Sequence, residues 1–134
     1  MEQLVGLVIV SHSAQIAAGT VELARQMVGD DVRIEAAGGL PDGSLGTDAA
    51  SIMEAIVAAD AGAGVVVLVD LGSAVLATQT AFELMGDAAS RVRLSRGPLV
   101  EGAVVAAVQA SVGDDLAAVL AAAEEAASLP KIPE

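Results

Sequence analysis

The sequence predicts an α/β fold of three layers, in which a mostly parallel, doubly wound sheet of strand order 2-1-3-4 carries helices on both faces. Continuously apolar runs of strand length, at 4–10 and 62–69, are typical of parallel strands that helices cover on both sides. Between such runs, apolar residues recur at helical spacing, for example over 16–28. Strands that alternate with helices in this way indicate βαβ units and therefore a parallel sheet.

The first half of the chain is predicted to hold two strands and two helices. After the first strand, a helix extends over 13–28 and Gly29 ends it. A short strand at 32–36 leads into a loop, 38–46, that is rich in turn-forming glycines. Thr47 is a good N-cap for the second helix, which is expected to end near residue 59.

The second half continues the alternation. The predicted elements are a strand at 62–69, a helix at 73–85, a weaker strand at 91–95 and a helix at 99–111. A last helix is expected to begin at Asp114 or Asp115 and to fray near residue 128. Residues 129–134, which include two prolines, are expected to form a flexible C-terminal tail. One domain over 1–128 is therefore expected.

Composition narrows the function classes. The chain has 134 residues, 54% of them hydrophobic, which suits one folded domain rather than a disordered chain. Its net charge of −12, from 18 acidic and 6 basic residues, argues against nucleic-acid and anionic membrane partners. The lack of cysteine excludes disulfides and thiolate chemistry. No secretory signal or membrane-spanning pattern stands out in the sequence, and a cytoplasmic location is expected.

The single histidine, His12, stands where the first strand ends and a helix begins. Open parallel sheets bind their ligands at the carboxyl ends of strands, and the third strand, which ends at Asp70, neighbours the first in the predicted order. Because neighbouring strands are about 4.8 Å apart, a hydrogen bond between His12 and Asp70 is expected. Such a carboxylate fixes the tautomer of a histidine nucleophile and stabilises its cationic form. The alternative is a packed histidine with no special role.

Four further residues are candidate supports for an anion on this histidine. Gly72 and Ser73 follow the aspartate, where amides at a helix N-terminus form an anion cradle and the serine hydroxyl adds a donor. Ser13 and Thr47, each at the start of a helix, complete the set. Helix capping is the alternative role for Asp70, Ser73 and Thr47.

Other common chemistries lack their residues. The turn after the first strand reads Ser-His-Ser instead of a dinucleotide-binding glycine fingerprint, and neither a P-loop nor a Gly-x-Ser-x-Gly motif occurs. The only lysine is Lys131, and a zinc site would have to consist mainly of carboxylates. What remains is a His–Asp pair among amides and hydroxyls, which can accept and donate a phosphoryl group but cannot readily hydrolyse or oxidise a substrate by itself.

At these residues the chain resembles the enzyme IIA domain of the mannose family of the bacterial phosphoenolpyruvate-dependent phosphotransferase system. Within that family it is most similar to the dihydroxyacetone-kinase (DhaM) branch. The matching stretches are Leu-Val-Ile-Val-Ser-His-Ser at 7–13, Glu-Leu-Ala-Arg-Gln-Met at 22–27, Gly-Thr-Asp-Ala at 46–49, Met-Glu-Ala-Ile at 53–56, Asp-Leu-Gly-Ser-Ala at 70–74 and Pro-Leu-Val-Glu-Gly at 98–102.

The resemblance implies a phosphotransferase subunit that works through phosphohistidine on His12 and needs no metal or organic cofactor. The protein HPr would be the phosphoryl donor, Asp70 would orient the ring, and Ser73 would place a hydroxyl near it. The acceptor would be ADP bound to the DhaL subunit, and the resulting ATP would phosphorylate dihydroxyacetone (glycerone) on the DhaK subunit. Family members are homodimers, and the alanine-rich region 99–127 suits a contact with a second chain. Some members carry fused HPr-like and enzyme I-like domains.

Two other functions stay open at this point. A IIA domain of the sugar branch would pass its phosphoryl group to a IIB protein, although the stretches at 70–74 and 98–102 favour the dihydroxyacetone branch. A non-catalytic regulatory module would keep the fold and signal through a partner, and the intact His12 and Asp70 argue against it.

Overall fold

A computed structural model describes residues 3–133 and shows strands and helices in strict alternation up to α4. The strands are β1 (Gly6–Ser11), β2 (Ile34–Gly38), β3 (Val65–Val69) and β4 (Val92–Leu94), and the helices are α1 (Ala14–Val28), α2 (Ala49–Ala59), α3 (Gly72–Met85), α4 (Leu99–Ser111) and α5 (Leu116–Glu125). Short 3₁₀ segments, Gly86–Arg91 and Ala126–Ser128, follow α3 and α5.

The four strands form one sheet in the order β2-β1-β3-β4. All three strand pairs are parallel, and β1 pairs with β2 on one side and with β3 on the other. Ile9 of β1, for example, lies between Ala36 and Leu68. The predicted α/β class and the strand order 2-1-3-4 are thereby confirmed.

The central strand β1 is buried on both sides, and its side chains alternate between two helical layers. Leu7 and Ile9 belong to the core that includes residues of α1, α4 and α5, whereas Val8 and Val10 belong to the core formed with α2 and α3. All four are 0% exposed, and full burial of such a side chain contributes about 1.5–3 kcal/mol. The helices that follow β1 and β3 therefore lie on opposite faces of the sheet, as predicted, and a crevice opens between the ends of these strands.

Three predicted strands start two or three residues too early. The first is Gly6–Ser11 instead of 4–10. The second strand is Ile34–Gly38 instead of 32–36, because its pairing with β1 begins at Leu7 and Ile34. The third begins at Val65 instead of residue 62, because Gly62 and Gly64 have φ angles of 116° and 104°, outside the extended region that a strand requires.

Helix ends agree with the sequence prediction more closely. Gly29 ends α1 with a φ of 73°, a conformation that glycine adopts without steric cost. Of the two residues expected to open α5, Asp115 is the cap, since its carboxylate accepts a hydrogen bond of 2.9 Å from the Ala118 amide. None of the helices described within residues 3–133 has the length and apolar character needed to cross a membrane.

The alanines of α4 pack within this chain, and the expected contact of region 99–127 with a second chain stays a prediction. Ala103, Ala106, Ala107 and Ala110 are all 0% exposed and belong to the same core as β1 and α1. Small side chains are required there because α4 comes very close to the sheet. A Cβ atom added to Gly102 would lie 2.9 Å from a methyl carbon of Leu68. Only the opposite, valine-bearing side of α4 is left for contacts with other molecules.

Candidate active site

His12 and Asp70 lie side by side where the neighbouring strands β1 and β3 end. Val10 is aligned with Val69, so the residues that follow them leave the sheet at the same edge. The His12 side chain is 24% exposed and that of Asp70 is 14% exposed. The aspartate is thus mostly covered, while part of the imidazole ring faces solvent.

The His12 ring is held at both of its nitrogens. Its Nδ1 lies 2.9 Å from Oδ1 of Asp70, so the hydrogen bond expected from the strand order is present. A carboxylate accepts hydrogen bonds, and Nδ1 is therefore the nitrogen that carries the proton in the neutral ring. Nε2 keeps its lone pair and points to the Ser73 hydroxyl, whose oxygen is 2.5 Å away. This tautomer leaves Nε2 as the nucleophilic atom.

The Asp70 carboxylate receives four hydrogen bonds, two on each oxygen. Oδ2 accepts from the Ser11 hydroxyl (2.8 Å) and from the His12 amide (2.9 Å), and Oδ1 accepts from the His12 ring and from the Leu71 amide (2.7 Å). Partial burial acts to raise the pKa of Asp70, but these hydrogen bonds outweigh it and hold the pKa below its usual value. Asp70 is therefore ionised near neutral pH and has no oxygen free of a donor.

Ser73 turns its hydroxyl to the histidine and does not cap its own helix. The N-cap of α3 is Leu71, and among residues 3–133 no side chain caps this helix. The capping role expected of Asp70 is limited to one hydrogen bond, which its carboxylate accepts from the Leu71 amide. Within residues 3–133 the backbone amides of Gly72 and Ser73 donate to no acceptor, so they are available to an anion at the start of α3.

Ser13 and Thr47 serve the site less directly. Ser13 is the N-cap of α1, and its hydroxyl accepts a bond of 3.2 Å from the Ile16 amide. The prediction that Thr47 caps α2 is wrong, because the cap is Asp48, whose carboxylate accepts from the Ser51 amide at 2.9 Å. Thr47 is half-buried and follows a loop that ends at Gly46. The Gly46 amide donates a hydrogen bond of 2.9 Å to the His12 carbonyl, which ties this loop to the site.

Ser11 is the residue of this site that the sequence prediction missed. It is fully buried, and its hydroxyl contacts the Asp70 carboxylate. The available signal was its position, because a lone polar residue at the end of an apolar strand needs a buried hydrogen-bond partner.

A cleft of about 470 Å³ adjoins the site between the ends of β3 and β4, and its lining includes Asp70, Gly72 and Arg96. Within residues 3–133 no three His, Cys, Asp or Glu side chains come together as they would around a metal ion. The groups at the site are one nucleophilic nitrogen, one ionised carboxylate, the hydroxyls of Ser11 and Ser73, and two backbone amides. Such a set can take up an electrophilic, anionic group on Nε2 and neutralise the cationic ring that results.

Known proteins similar to this chain share both its sequence pattern and its fold. The family EIIA-man, described as the PTS system fructose IIA component, matches residues 6–120, a range that contains every site residue named above. A crystal structure of a protein of unknown function is 38% identical, with a TM-score of 0.82 over 92% of this chain and 95% of that one. A sigma-54 interaction domain protein from Enterococcus faecalis, 18% identical with a TM-score of 0.68, shares the fold.

Several similar proteins are phosphoryl donor subunits, named DhaM, of phosphoenolpyruvate-dependent dihydroxyacetone kinases. The one from Pantoea ananatis is 46% identical over 87% of this chain, and the one from Escherichia coli is 45% identical over 84%. The chain spans only about a quarter of the length of these two proteins, 26% and 25%. A shorter relative from Listeria innocua is 39% identical, and there the match covers 87% of this chain and 94% of the relative.

Proposed function

This chain belongs to the EIIA-man family of phosphotransferase-system IIA components, and on that premise we propose that it is a phosphoryl carrier that works through phosphohistidine on His12. It accepts the phosphoryl group from phosphorylated HPr and passes it to ADP bound to a DhaL subunit. The ATP formed there supports the phosphorylation of dihydroxyacetone on DhaK. The carrier needs no metal or organic cofactor of its own, and we place it in the cytoplasm with these partners.

The observation that carries this proposal is the pair of contacts on the His12 ring. Asp70 binds Nδ1, which leaves the lone pair of Nε2 directed at the hydroxyl of Ser73 in the first turn of α3. A phosphoryl group on Nε2 would meet the Ser73 hydroxyl and the amides of Gly72 and Ser73, which are donors for its oxygens. No other histidine occurs in the chain.

The transfer step moves one phosphoryl group between two nucleophiles. The Nε2 lone pair attacks phosphorus on the donor phosphohistidine, a new N–P bond forms, and the donor's own N–P bond breaks and returns an electron pair to its ring. The Asp70 carboxylate balances the positive charge that develops on the His12 ring. In the second transfer a terminal phosphate oxygen of ADP attacks phosphorus, and the Nε2 lone pair is restored as ATP forms.

The choice of ADP on DhaL as acceptor rests on the similar proteins named phosphoryl donor subunits of dihydroxyacetone kinases. The alternative acceptor is a IIB protein of a sugar phosphotransferase system, and a regulatory module without phosphoryl transfer is the remaining possibility. These functions differ in which partner removes the phosphoryl group, so a discharge experiment separates them.

The experiment starts with phosphoenolpyruvate, enzyme I and HPr, and follows the intact mass of the chain. We expect one acid-labile phosphoryl group on the wild type and none on His12→Ala. Addition of DhaL loaded with ADP should then discharge the phosphoprotein and produce ATP, whereas IIB proteins should leave it charged. Failure of the wild type to accept any phosphoryl group would leave only the regulatory alternative.

We also propose that two copies of the chain associate through the outer side of α4. Val100, Val104 and Val108 are spaced four residues apart and share one face of the helix, and the first and last are 38% and 40% exposed. Beside them, Leu23 of α1 and Leu129 help to line an apolar groove of about 340 Å³.

Charge favours a second copy at this surface. Each chain carries a net charge of −12, so two copies approach best where charge is sparse. The only charged residue of α4 is Glu101, which is 2.9 Å from the ammonium group of Lys131 and is thus neutralised.

A further inference from the structure

Ser11, the last residue of β1, carries a polar group in the most buried strand of the protein. It is 0% exposed, as are its strand neighbours Val8, Ile9 and Val10. A buried hydroxyl without a partner costs free energy, so such groups are almost always hydrogen-bonded. The partners of Ser11 therefore indicate why a serine stands at the end of an otherwise apolar strand.

The Ser11 hydroxyl connects three segments at the site. Its oxygen lies 2.8 Å from Oδ2 of Asp70 and accepts a hydrogen bond of 3.1 Å from the Ser13 amide. Because a carboxylate only accepts, the hydroxyl proton must point to Asp70, and the oxygen lone pairs face the start of α1. The end of β1, the end of β3 and the first turn of α1 are thus joined through one side chain.

We propose that Ser11 is a positioning residue for phosphoryl transfer, which holds the Asp70 carboxylate in the orientation that directs Nε2 of His12 to the incoming phosphoryl group. This inference rests on the function proposed above. Among the residues that the structure describes, the Ser11 hydroxyl bonds to Asp70 and to the Ser13 amide and not to the His12 ring, so it acts on the ring through Asp70. Because Oδ2 accepts hydrogen bonds from the Ser11 hydroxyl and the His12 amide, rotation of the carboxylate is restricted. Its other oxygen, Oδ1, is thereby held facing the imidazole ring.

A matched control is available at the end of β4. Ser95 is also buried, at 3% exposure, and its hydroxyl also accepts a bond from the amide two residues later, 2.9 Å from the Gly97 nitrogen. It makes no hydrogen bond to Asp70 within the part of the chain that the structure describes. Ser95→Ala therefore removes the same kind of turn contact without the contact to the carboxylate.

The test compares Ser11→Ala, Ser11→Cys and Ser11→Thr with Ser95→Ala, after a thermal unfolding scan identifies the variants that fold. Cysteine keeps nearly the size of serine but is a weak donor, and threonine keeps the hydroxyl. We expect phosphorylation by phospho-HPr to slow on the order of tenfold in the alanine and cysteine variants, as for loss of one hydrogen bond to a charged group. Threonine should restore the rate, and Ser95→Ala should match the wild type.

One readout separates positioning from a purely structural role. Ring ¹⁵N shifts of His12 should show less of the Nδ1–H tautomer in Ser11→Ala and Ser11→Cys, because the carboxylate that accepts from Nδ1 is no longer held by the Ser11 hydroxyl. Wild-type tautomer populations in a folded Ser11→Cys would overturn the proposal.

The ring shifts need no phosphoryl donor, which keeps this test separate from the proposed function. If the wild type accepts no phosphoryl group, the proposed function fails whatever the ring shifts show. If the wild type is phosphorylated and the Ser11 variants react at its rate with its tautomer, only the role of Ser11 fails.

Discussion

His12 and Asp70, 58 residues apart in the sequence, are joined by two hydrogen bonds. The imidazole Nδ1 and the backbone amide of His12 each lie 2.9 Å from a different oxygen of the same carboxylate. The second bond ties Asp70 to the backbone of its partner, so the ring and the carboxylate keep their relative position when the ring changes charge. A pair held in this way can pass through a cationic state without rearrangement, which is what a phosphoryl carrier requires.

Replacement of Asp70 by asparagine should slow phosphorylation of His12 by at least about a hundredfold, because an amide cannot balance the cationic ring and places NH₂ where the carboxylate accepts hydrogen bonds. The measurement is the initial rate of phosphoryl uptake from phospho-HPr. Asp60→Asn is the matched control, since Asp60 is similarly covered (20% exposed against 14%) but bonds to Arg91 instead. Equal rates for the two variants would remove the role assigned to Asp70.

The stabilising effect of Asp70 should depend on pH in a defined direction. Its folded-state pKa is lowered by hydrogen bonds from His12, Ser11 and Leu71, in spite of partial burial. The ionised form therefore stabilises the fold above the unfolded-state pKa of about 3.9, and this contribution disappears as the pH falls through the lower folded-state pKa. We expect the difference in unfolding free energy between the wild type and Asp70→Asn, measured by urea unfolding, to shrink as the pH falls below about 4. A difference that stays the same or grows below about pH 4 would contradict this assignment.

Ser73→Ala should reduce the phosphorylation rate about tenfold with little change in stability. The hydroxyl contacts Nε2 and can donate to a phosphoryl oxygen, and one such donor is worth about tenfold or more in rate. The residue is exposed, so its truncation should change the free energy of unfolding by less than about 0.5 kcal/mol. Thr80→Ala on the exposed side of α3 controls for a lost hydroxyl and should leave the rate unchanged. A wild-type rate in Ser73→Ala would show that the hydroxyl plays no part in the transfer.

Two glycine substitutions should have opposite effects on stability. A Cβ atom on Gly38 would lie 2.6 Å from the Ser13 carbonyl oxygen and 2.9 Å from the Ala14 Cα, both backbone atoms at the start of α1. Gly38→Ala should therefore destabilise the fold by about 1–3 kcal/mol through overpacking. Apart from its chain neighbours and the backbone of its own helix, no described atom lies within 4 Å of the Cβ position of Gly19 in α1, and Gly19→Ala should stabilise the helix by about 0.5–1 kcal/mol. Urea unfolding of both variants checks the pair, and the same sign of change in both would contradict the packing described here.

Val104→Glu should dissociate the dimer proposed for the outer side of α4. A charge at the centre of the valine face would add to the repulsion between two chains that each carry −12. Light scattering after size exclusion gives the mass in solution. The control is Val57→Glu, since Val57 is 63% exposed and α2 packs on the face of the sheet opposite to α4. A monomeric wild type, or a dimeric Val104→Glu, would rule out this interface.

The sequence predicts the sheet order and the meeting of His12 with Asp70 because both follow from a coarse pattern. Apolar runs mark the buried strands, and the residue at which each run stops lies at the same edge of a parallel sheet. No side-chain detail is needed for this inference. The error of two residues in the predicted start of β2 does not change the predicted sheet order or the pairing of His12 with Asp70.

The side-chain partners at the site are harder to predict, because hydrogen bonds of similar strength compete there. Ser73 could cap α3 or contact His12, and the distant partner is used. Thr47 and Asp48 are both good caps, and the carboxylate takes the position. Competing hydrogen bonds of this kind differ by less than about 1 kcal/mol, so tertiary packing decides between them.

The most direct test of the central claim is to identify the atom that carries the phosphoryl group. The chain, labelled with ¹⁵N in histidine, is phosphorylated by phosphoenolpyruvate, enzyme I and HPr and examined by NMR at alkaline pH for coupling between phosphorus and a ring nitrogen. With Nδ1 held by Asp70, we predict coupling to Nε2 of His12 and no phosphoryl group in His12→Ala. A phosphoryl group on Nδ1, or one that persists in His12→Ala, would contradict the account.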